Sequence, residues 1–342
     1  VDLDLDRETF PTEDEIREID SVCPGTQHGW FESKITGQKI HYRKFLPNTQ
    51  EGVQIKGVVI FLHGVHTHSG DAAKLKNGRL IKLALLRKVF IEAGFALYVP
   101  DHLGHGFSEG ERFYISDWRI QRDIYDEFTQ FVSSEHTNVP FFLQGQSYGG
   151  CLAVHLARKW QDFPDKAPLK QFFGVALTCP ALAAKVPPYP VVFTLRYILS
   201  PLFPKWTPFF MPNPINPDCI WSDPEVRELC ANERKKSMNL SAGGKAYCLG
   251  TATALLDAIE SAKEKAIPGF NLPFCVVHGD NDVGVPLSGS EYLMKHSITP
   301  TEDCALRIEK NARHDLLSEP SAEDTVQFLL DWMLQRLKMK NN

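Results

Sequence analysis

No stretch of this chain approaches the roughly 20 uncharged apolar residues of a membrane-crossing helix, so no span is expected. Its eight cysteines show no CxxC pair and no regular spacing, which argues against a disulfide framework and for a reducing compartment. Cys151, Cys179 and Cys275 fall in or beside apolar runs, where free cysteine behaves as a small hydrophobe. Basic residues are not in excess: 37 Lys and Arg stand against 42 Asp and Glu, a net charge of −5. No basic stripe with interleaved aromatics appears either, so a nucleic-acid partner is not expected. Internal repeats and low-complexity tracts are also missing. What remains is a composition of 43% hydrophobic and 23% charged residues, ordinary for a globular protein. At 342 residues the chain can bury a large core.

Charge is unevenly spread. Residues 1–20 hold nine acids against Arg7 and Arg17, and 1–26 read as a solvated acidic arm ahead of the folded part. From Gln27 onward, strand and helix patterns alternate, which implies a mostly parallel sheet covered by helices. Buried-strand runs are Gly57–Leu62, Phe95–Val99, the segment before residue 145, Phe172–Leu177 and Phe274–His278. Helical spacing covers Arg79–Ala93 (stopped by Gly94), Asp117–Ser133, the residues after Ser147, 225–266, Ser290–Lys295 and about Ala322–Leu337. Ala305–Glu309 reads as the last strand. The alternation breaks between Pro180 and Pro224, which hold 11 of the 23 prolines and eight aromatic side chains. That stretch is too proline-broken for a central strand or a long helix, and too aromatic for a linker. The organisation expected is α/β: a first core part at 27–179, an apolar insertion at 180–268, and a second core part at 269–342.

The most informative residues are Gly145-Gln146-Ser147-Tyr148-Gly149, between the apolar run Val139–Leu143 and a helical pattern. In a strand–turn–helix context, Gly-x-Ser-x-Gly is a nucleophile elbow. The turn is tight enough that Cβ atoms two positions from the serine would clash, and Gly145 and Gly149 remove them. It pushes Ser147 Oγ outward and leaves the Tyr148 N–H at a helix N-terminus, ready for an oxyanion.

A serine hydroxyl needs a base, and the base needs an orienting carboxylate. In elbow enzymes these follow in the chain as acid and then histidine, on loops after later strands. Of His278, His296 and His314, only His314 lies in a loop between the last strand and the last helix. For the acid, the turn Gly279-Asp280-Asn281-Asp282 offers two aspartates. Asp280 suits the turn itself, and Asp282 stands further out, toward the catalytic face. The second oxyanion donor is expected from the loop after an early central strand, at the Val65 N–H. In the same loop His63, His66, His68 and Asp71, with His102 and His105 nearby in pattern, suggest a metal site. The spacing His66-x-His68-x-x-Asp71 misses the dinuclear hydrolase pattern by one residue, and the strand–loop context already accounts for His63-Gly64.

With these pieces placed, the chain resembles the monoacylglycerol lipase and lysophospholipase group of the α/β-hydrolase family, over approximately 29–337. Leu62–Gly70 is similar to the family's oxyanion loop. Asp101-His102-Leu103-Gly104-His105-Gly106-Phe107-Ser108-Glu109-Gly110 is close to the group's D-H-x-G-H-G-x-S-E-G signature. His278-Gly279-Asp280-Asn281-Asp282 matches its acid turn, with Asp282 as the acid, and His314-Asp315-Leu316-Leu317 looks like its histidine loop. The resemblance implies an α/β-hydrolase fold with Pro180 to roughly Pro268 as a cap whose apolar rim meets lipid surfaces.

The chain departs from the group at several positions. Thr67, Asp71 and Leu317 stand where mammalian monoacylglycerol lipases hold the glycerol head, and Val285 replaces a reactive cysteine. Val186-Pro187-Pro188 and Trp221–Glu225 look more like the plant and protist lysophospholipase-like branch.

The expectation is a serine hydrolase of single-chain lipid esters with a Ser147–His314–Asp282 triad, a Val65/Tyr148 oxyanion hole, and no metal or organic cofactor. The alternatives are a carboxylesterase for small or aromatic esters and a non-catalytic binding protein. A peptidase is open to this fold as well, without a sequence feature in its favour. The expected setting is cytosolic or peripherally membrane-bound, the cap being the part that would meet a membrane or micelle. The start at Val1 rather than Met leaves a removed leader as an alternative.

Overall fold

The computed structural model describes residues 13–47, 54–168, 170–211, 213, 215–236 and 246–340. Residues 1–12, a little under half of the expected acidic arm, lie outside the described residues. The remainder of that arm is not simply solvated: Glu13–Ser21 forms helix α1, and Asp20 reaches His28 and Arg43 in the sheet.

Strands β1 (Gln27–Glu32) and β2 (Lys39–Phe45) form an antiparallel hairpin, followed by β3 (Gly57–Leu62). A short hairpin, β4 (Ala72–Lys74) and β5 (Leu80–Lys82), leads into α2 (Leu83–Glu92) and β6 (Phe95–Pro100). Next come α3 (Trp118–Glu135), β7 (Phe141–Gln146), α4 (Tyr148–Asp162) and β8 (Phe172–Thr178). Helices α5 (Tyr189–Thr194), α6 (Ser200–Leu202), α7 (Pro217–Ile220), α8 (Pro224–Lys236) and α9 (Leu249–Ser261) separate β8 from β9 (Phe274–Gly279). The chain ends with α10 (Ser288–His296), β10 (Cys304–Glu309) and α11 (Ala322–Lys340).

The strand order is β1-β2-β6-β3-β7-β8-β9-β10, parallel from β6 to β10. Its central strands are apolar on both faces because helices cover both. On β3, Val58, Ile60 and Leu62 join one core with α3, α4 and α9, while Val59 and Phe61 join the other with α2 and α11. No helix among the described residues is long and apolar enough to cross a membrane.

Two segments differ from the sequence reading. The helical pattern at Arg79–Ala93 begins with strand β5, because Leu80 and Ile81 pair with β4. The chain then turns at Lys82 through a positive φ of 54° before α2 starts. Tyr189–Leu202 is helical throughout despite its prolines, with a π-helical turn at Leu195–Leu199 between α5 and α6. Pro190 sits in the first turn, where its missing N–H costs nothing, and the widened turn runs up to Pro201.

The crossing of β7 and α4 allows little room. A Cβ on Gly149 would collide with the backbone oxygen of Leu62, whereas one on Gly64 would meet nothing nearer than Ser147 Cβ at 3.5 Å. Gly149→Ala should therefore lower stability by about 1–3 kcal/mol or more in urea unfolding. Gly64→Ala should stay within about 0.5 kcal/mol of the starting protein. Equal losses in the two variants would contradict the packing account.

Candidate active site

Ser147 lies between β7 and α4 at φ 54°, ψ −119°, a backbone conformation that costs a non-glycine residue about 1–3 kcal/mol. Its surroundings hold it there. Ser147 N–H donates to Thr178 O at the end of β8 (3.1 Å), and Ser147 O accepts from Cys151 N (3.1 Å) and Ala181 N (2.9 Å). On Gly145, a Cβ would lie 2.6 Å from Gly149 O, so the elbow excludes side chains on both flanks.

The side chain faces the loop after β10. Ser147 Oγ lies 2.9 Å from His314 Nε2, and His314 Nδ1 lies 2.6 Å from Asp282 Oδ2. With Nδ1 carrying the proton donated to Asp282, Nε2 is free to accept from the serine hydroxyl. Asp282 comes from the loop after β9, and its Oδ1 accepts the N–H groups of Gly284 (2.9 Å) and Val285 (2.8 Å). Asp280, two residues earlier, accepts from Asn311 N at 2.6 Å and plays no part in this chain of contacts.

Burial opposes ionisation of Asp282, but the His314 charge and hydrogen bonds from His278, His314 and Val285 outweigh it. Its carboxyl is held well below the usual carboxylate range. Burial likewise opposes protonation of His314. The Asp282 carboxylate, helped by Asp315, overrides this and lifts the imidazole above its ordinary 6.5.

Tyr148 is the first residue of α4, so its N–H has no partner within the helix. Val65, Tyr148, Ser147 and His314 together line one end of a cavity of about 190 Å³. The rest of its wall is largely apolar, with Val192, Leu195, Leu255 and Ile259 among the contributors. A second, smaller space of about 70 Å³ lies on the other side of Ser147 and His314. Polar side chains meet in its wall: Thr67 Oγ1 and Lys82 Nζ both donate to Asp71, each at 2.7 Å. All five residues expected from the sequence thus meet at one place.

Three neighbours were not expected. His278 stands behind the acid, its Nε2 3.4 Å from Asp282 Oδ2; the i, i+4 spacing in His278-Gly279-Asp280-Asn281-Asp282 is the sequence signal. Cys179, at φ 41°, brings its sulfur beside Asp282 and His314, and no local pattern marks it. Asp315 accepts from Gln146 Nε2 (2.8 Å) and Trp221 Nε1 (2.7 Å), tying the histidine loop to the elbow and to α7's end.

The suspected metal ligands are engaged elsewhere. His63 Nδ1 donates to Gly64 O, its Nε2 accepts from His102 N, and His102 Nε2 donates to His63 O. Burial pushes His63, His68, His102 and His105 below the ordinary imidazole value, which favours neutral rings.

A family model described as serine aminopeptidase, S33, matches residues 53–321. The chain belongs to this family. Within it, a Mycolicibacterium smegmatis monoacylglycerol lipase is 24% identical over 303 residues, covering 89% of this chain and 95% of that protein. The Arabidopsis thaliana caffeoylshikimate esterase is 25% identical over 307 residues, covering 88% and 83%. An uncharacterized abhydrolase domain-containing protein of Dictyostelium discoideum is 25% identical over 285 residues. The match spans 83% of this chain but only 27% of that longer protein. Among solved structures, a soluble variant of Saccharomyces cerevisiae monoglyceride lipase superposes with a TM-score of 0.69 at 16% identity, covering 91% of this chain and 96% of that one. That likeness supports the α/β-hydrolase fold.

A base must be neutral to accept the serine proton, so activity should rise with pH through the pKa of His314. Because that value is raised, the acid limb of kcat/KM should inflect above 6.5 and move down in Asp282→Asn. The same substitution should cost about ten-thousand-fold in kcat, while Asp280→Asn should cost far less. A limb below 6.5, or exchanged phenotypes for the two aspartates, would overturn the assignment.

Proposed function

We propose that the protein is a serine ester hydrolase of single-chain lipid esters, of the monoacylglycerol lipase or lysophospholipase type. The observation that carries this reading is the Ser147–His314–Asp282 chain of hydrogen bonds opening onto a largely apolar cavity. Ser147 Oγ attacks the ester carbonyl while His314 Nε2 takes its proton. Asp282 keeps the imidazole in the required tautomer and stabilises its charged form. The Tyr148 and Val65 N–H groups receive the oxyanion, a contribution of about 2.7–4 kcal/mol for each such donor. His314 then protonates the departing alcohol, and water activated by the same imidazole releases the acyl group.

The cavity also argues about substrate class. An aminopeptidase must hold a terminal ammonium, yet no Asp or Glu is among the described residues lining the apolar cavity, whose charged side chains are Lys185 and Arg196. An acyl chain suits that wall better. The alcohol then leaves into the second space, toward Thr67 and Asp71.

The segment 180–268, between β8 and β9, serves as the cap. Its 187–211 portion contributes Pro187, Val192, Leu195 and Met211 to the cavity, and its outer face is apolar. Phe209 is 97% exposed, Tyr189 75%, and Phe193, Tyr197, Phe203, Trp206 and Phe210 are exposed as well. Contiguous apolar surface of this kind marks an interaction site, and a lipid surface is the partner that supplies the substrate. The second reading, an esterase for small or aromatic acyl groups, draws on the likeness to the plant caffeoylshikimate esterase.

Hydrolysis rates for monoacylglycerols, lysophospholipids, short esters and hydroxycinnamoyl esters decide between these readings. Fastest turnover of hydroxycinnamoyl esters would displace the lipid reading. Ser147→Ala should lose about a million-fold in kcat and all fluorophosphonate labelling; a clean preparation with full activity would end the proposal. Replacing Trp206, Phe209 and Phe210 with serine should raise KM for long-chain esters and weaken vesicle binding, with little change on a water-soluble short ester. Equal losses on both substrates and a lowered melting temperature would make the segment structural.

A further inference from the structure

A second Asp–His pair lies buried behind the oxyanion loop, in a line of four ionisable side chains that the proposed reaction does not use. Asp20 Oδ2 is 2.7 Å from His28 Nε2. His28 Nδ1 is 2.8 Å from His41 Nε2, and His41 Nδ1 is 2.7 Å from Asp101 Oδ2. The line runs from the partly exposed Asp20 and His28 to a fully buried Asp101.

Its inner end holds the loop. Asp101 Oδ1 accepts the Ser69 N–H at 2.6 Å, and Asp101 Oδ2 accepts the Phe107 N–H at 3.1 Å. Arg43, which reaches toward Asp20 Oδ1 (3.4 Å), donates to Ser69 Oγ at 2.7 Å. Ser69 thereby pins the far end of the loop whose near end is fixed at His63, with Val65 between them. Room for the carboxylate is made by Gly106, at φ 50°, where a Cβ would overlap the Asp101 carboxyl group. That is a physical reason for the second glycine of the Asp101–Gly110 segment.

The line contains a proton-counting constraint. Three hydrogen bonds need three protons, and ionised carboxylates at both ends can only accept. Two neutral imidazoles bring two. Both carboxylates are ionised: burial opposes this at Asp101, but the His41 hydrogen bond and the Arg43 charge help hold it well below the carboxylate range. Asp20 is lowered too, His28 and Arg43 outweighing its burial. A third proton is therefore required. Burial disfavours it on His41, although the Asp101 hydrogen bond and charge oppose that loss. An imidazolium at His28 satisfies every link: Nε2–H to Asp20, Nδ1–H to His41 Nε2, and His41 Nδ1–H to Asp101. The groups facing the two rings are Asp20 from α1, Arg43 from β2, Asp101 from the end of β6, and the Trp30 and Phe107 rings.

We propose that Asp101, His41 and His28 are positioning residues for the oxyanion loop, and that the line Asp20–His28–His41–Asp101 does this work only while it holds a third proton. Raising the pH removes that proton, one of the three links must break, and the hold on Ser69 loosens. The inference rests on the reading of Val65 as an oxyanion donor.

Two measurements test it. Histidine side-chain nitrogen NMR of the intact chain, near neutral pH and below, should show His28 with both ring nitrogens protonated and His41 protonated on Nδ1 alone. A His28 ring carrying a single proton throughout would overturn the count. The second is the rate of fluorophosphonate labelling against pH, which reads the oxyanion hole whatever the natural substrate. Wild-type labelling should slow on the alkaline side as the third proton leaves. His28→Asn, which can donate toward His41 but cannot titrate, should lack that inflection. His41→Phe, whose ring fits among Trp30, His28 and Phe107, should slow labelling roughly 10- to 100-fold at every pH. A folded His41→Phe labelled at the wild-type rate would sink the positioning role and leave the hydrolase reading standing. If His41→Phe does not fold, an unchanged alkaline limb in His28→Asn sinks it instead. A wild-type chain that no probe labels would overturn both the hydrolase reading and the positioning role, the proton count being decided by the spectra.

Discussion

The backbone of Ser147, held at a positive φ, is the constraint on which the rest of the site depends. A serine does not adopt that conformation unaided. It is held because β7 delivers it next to the end of β8, where Thr178 O takes its N–H, and because its own carbonyl caps both α4 and the chain leaving β8. Both neighbours must approach without side chains, which Gly145 and Gly149 allow. The strain is thus offset by hydrogen bonds from three separate segments. Any change that moves β7 against α4 or β8 moves Ser147 with it.

Two buried carboxylates organise the space around that serine, and they do so by the same local geometry. Asp282 holds His314 at 2.6 Å, and Asp101 holds His41 at 2.7 Å. What differs is the far nitrogen of each ring. His314 Nε2 looks at Ser147 and the cavity, so its proton can move to and from a reacting group. His41 Nε2 looks at another imidazole within the structure, so it can exchange a proton only with His28, along the line toward Asp20. On the proposed reading, environment, not residue type, separates a base from a brace.

How much of this was legible in the sequence follows from how local each feature is. The elbow, the acid turn and the histidine loop are each contained within a few residues at a strand end, where glycine requirements and chain order carry the geometry. The sheet was legible for the same reason: β3, β7 and β9 are short apolar runs bounded by turn residues. The β4–β5 hairpin was not, because Leu80 and Ile81 continue the apolar spacing of α2. Only pairing with Ala73 and its neighbours shows that they are extended. Asp20 was hidden inside an acidic run that reads as solvated. Its partners His28 and Arg43 are brought to it by the β1–β2 hairpin, a contact no local pattern encodes. Cys179 and Asp315 were equally silent, since their roles depend on which loops the sheet brings together.

The proline-rich segment shows the opposite failure, a local rule applied too strictly. Prolines forbid a regular helix interior, yet α5, its π turn and α6 form one helical run by placing Pro190 in the first turn and widening the ladder just ahead of Pro201. Among α5, the π turn and α6, Ser200 is the buried residue, and Tyr189, Phe193 and Tyr197 stack on one another instead of entering the core. Arg196, bonded to Asp257 and Glu260 on α9, ties this run to the rest. A helix held by ion pairs on one side and left apolar on the other gains little from burial within its own chain. Its exposed aromatics are a net cost in water, and on the proposed reading that cost is recovered against a lipid surface. The architecture of the segment and the apolar cavity beneath it therefore point to the same class of substrate.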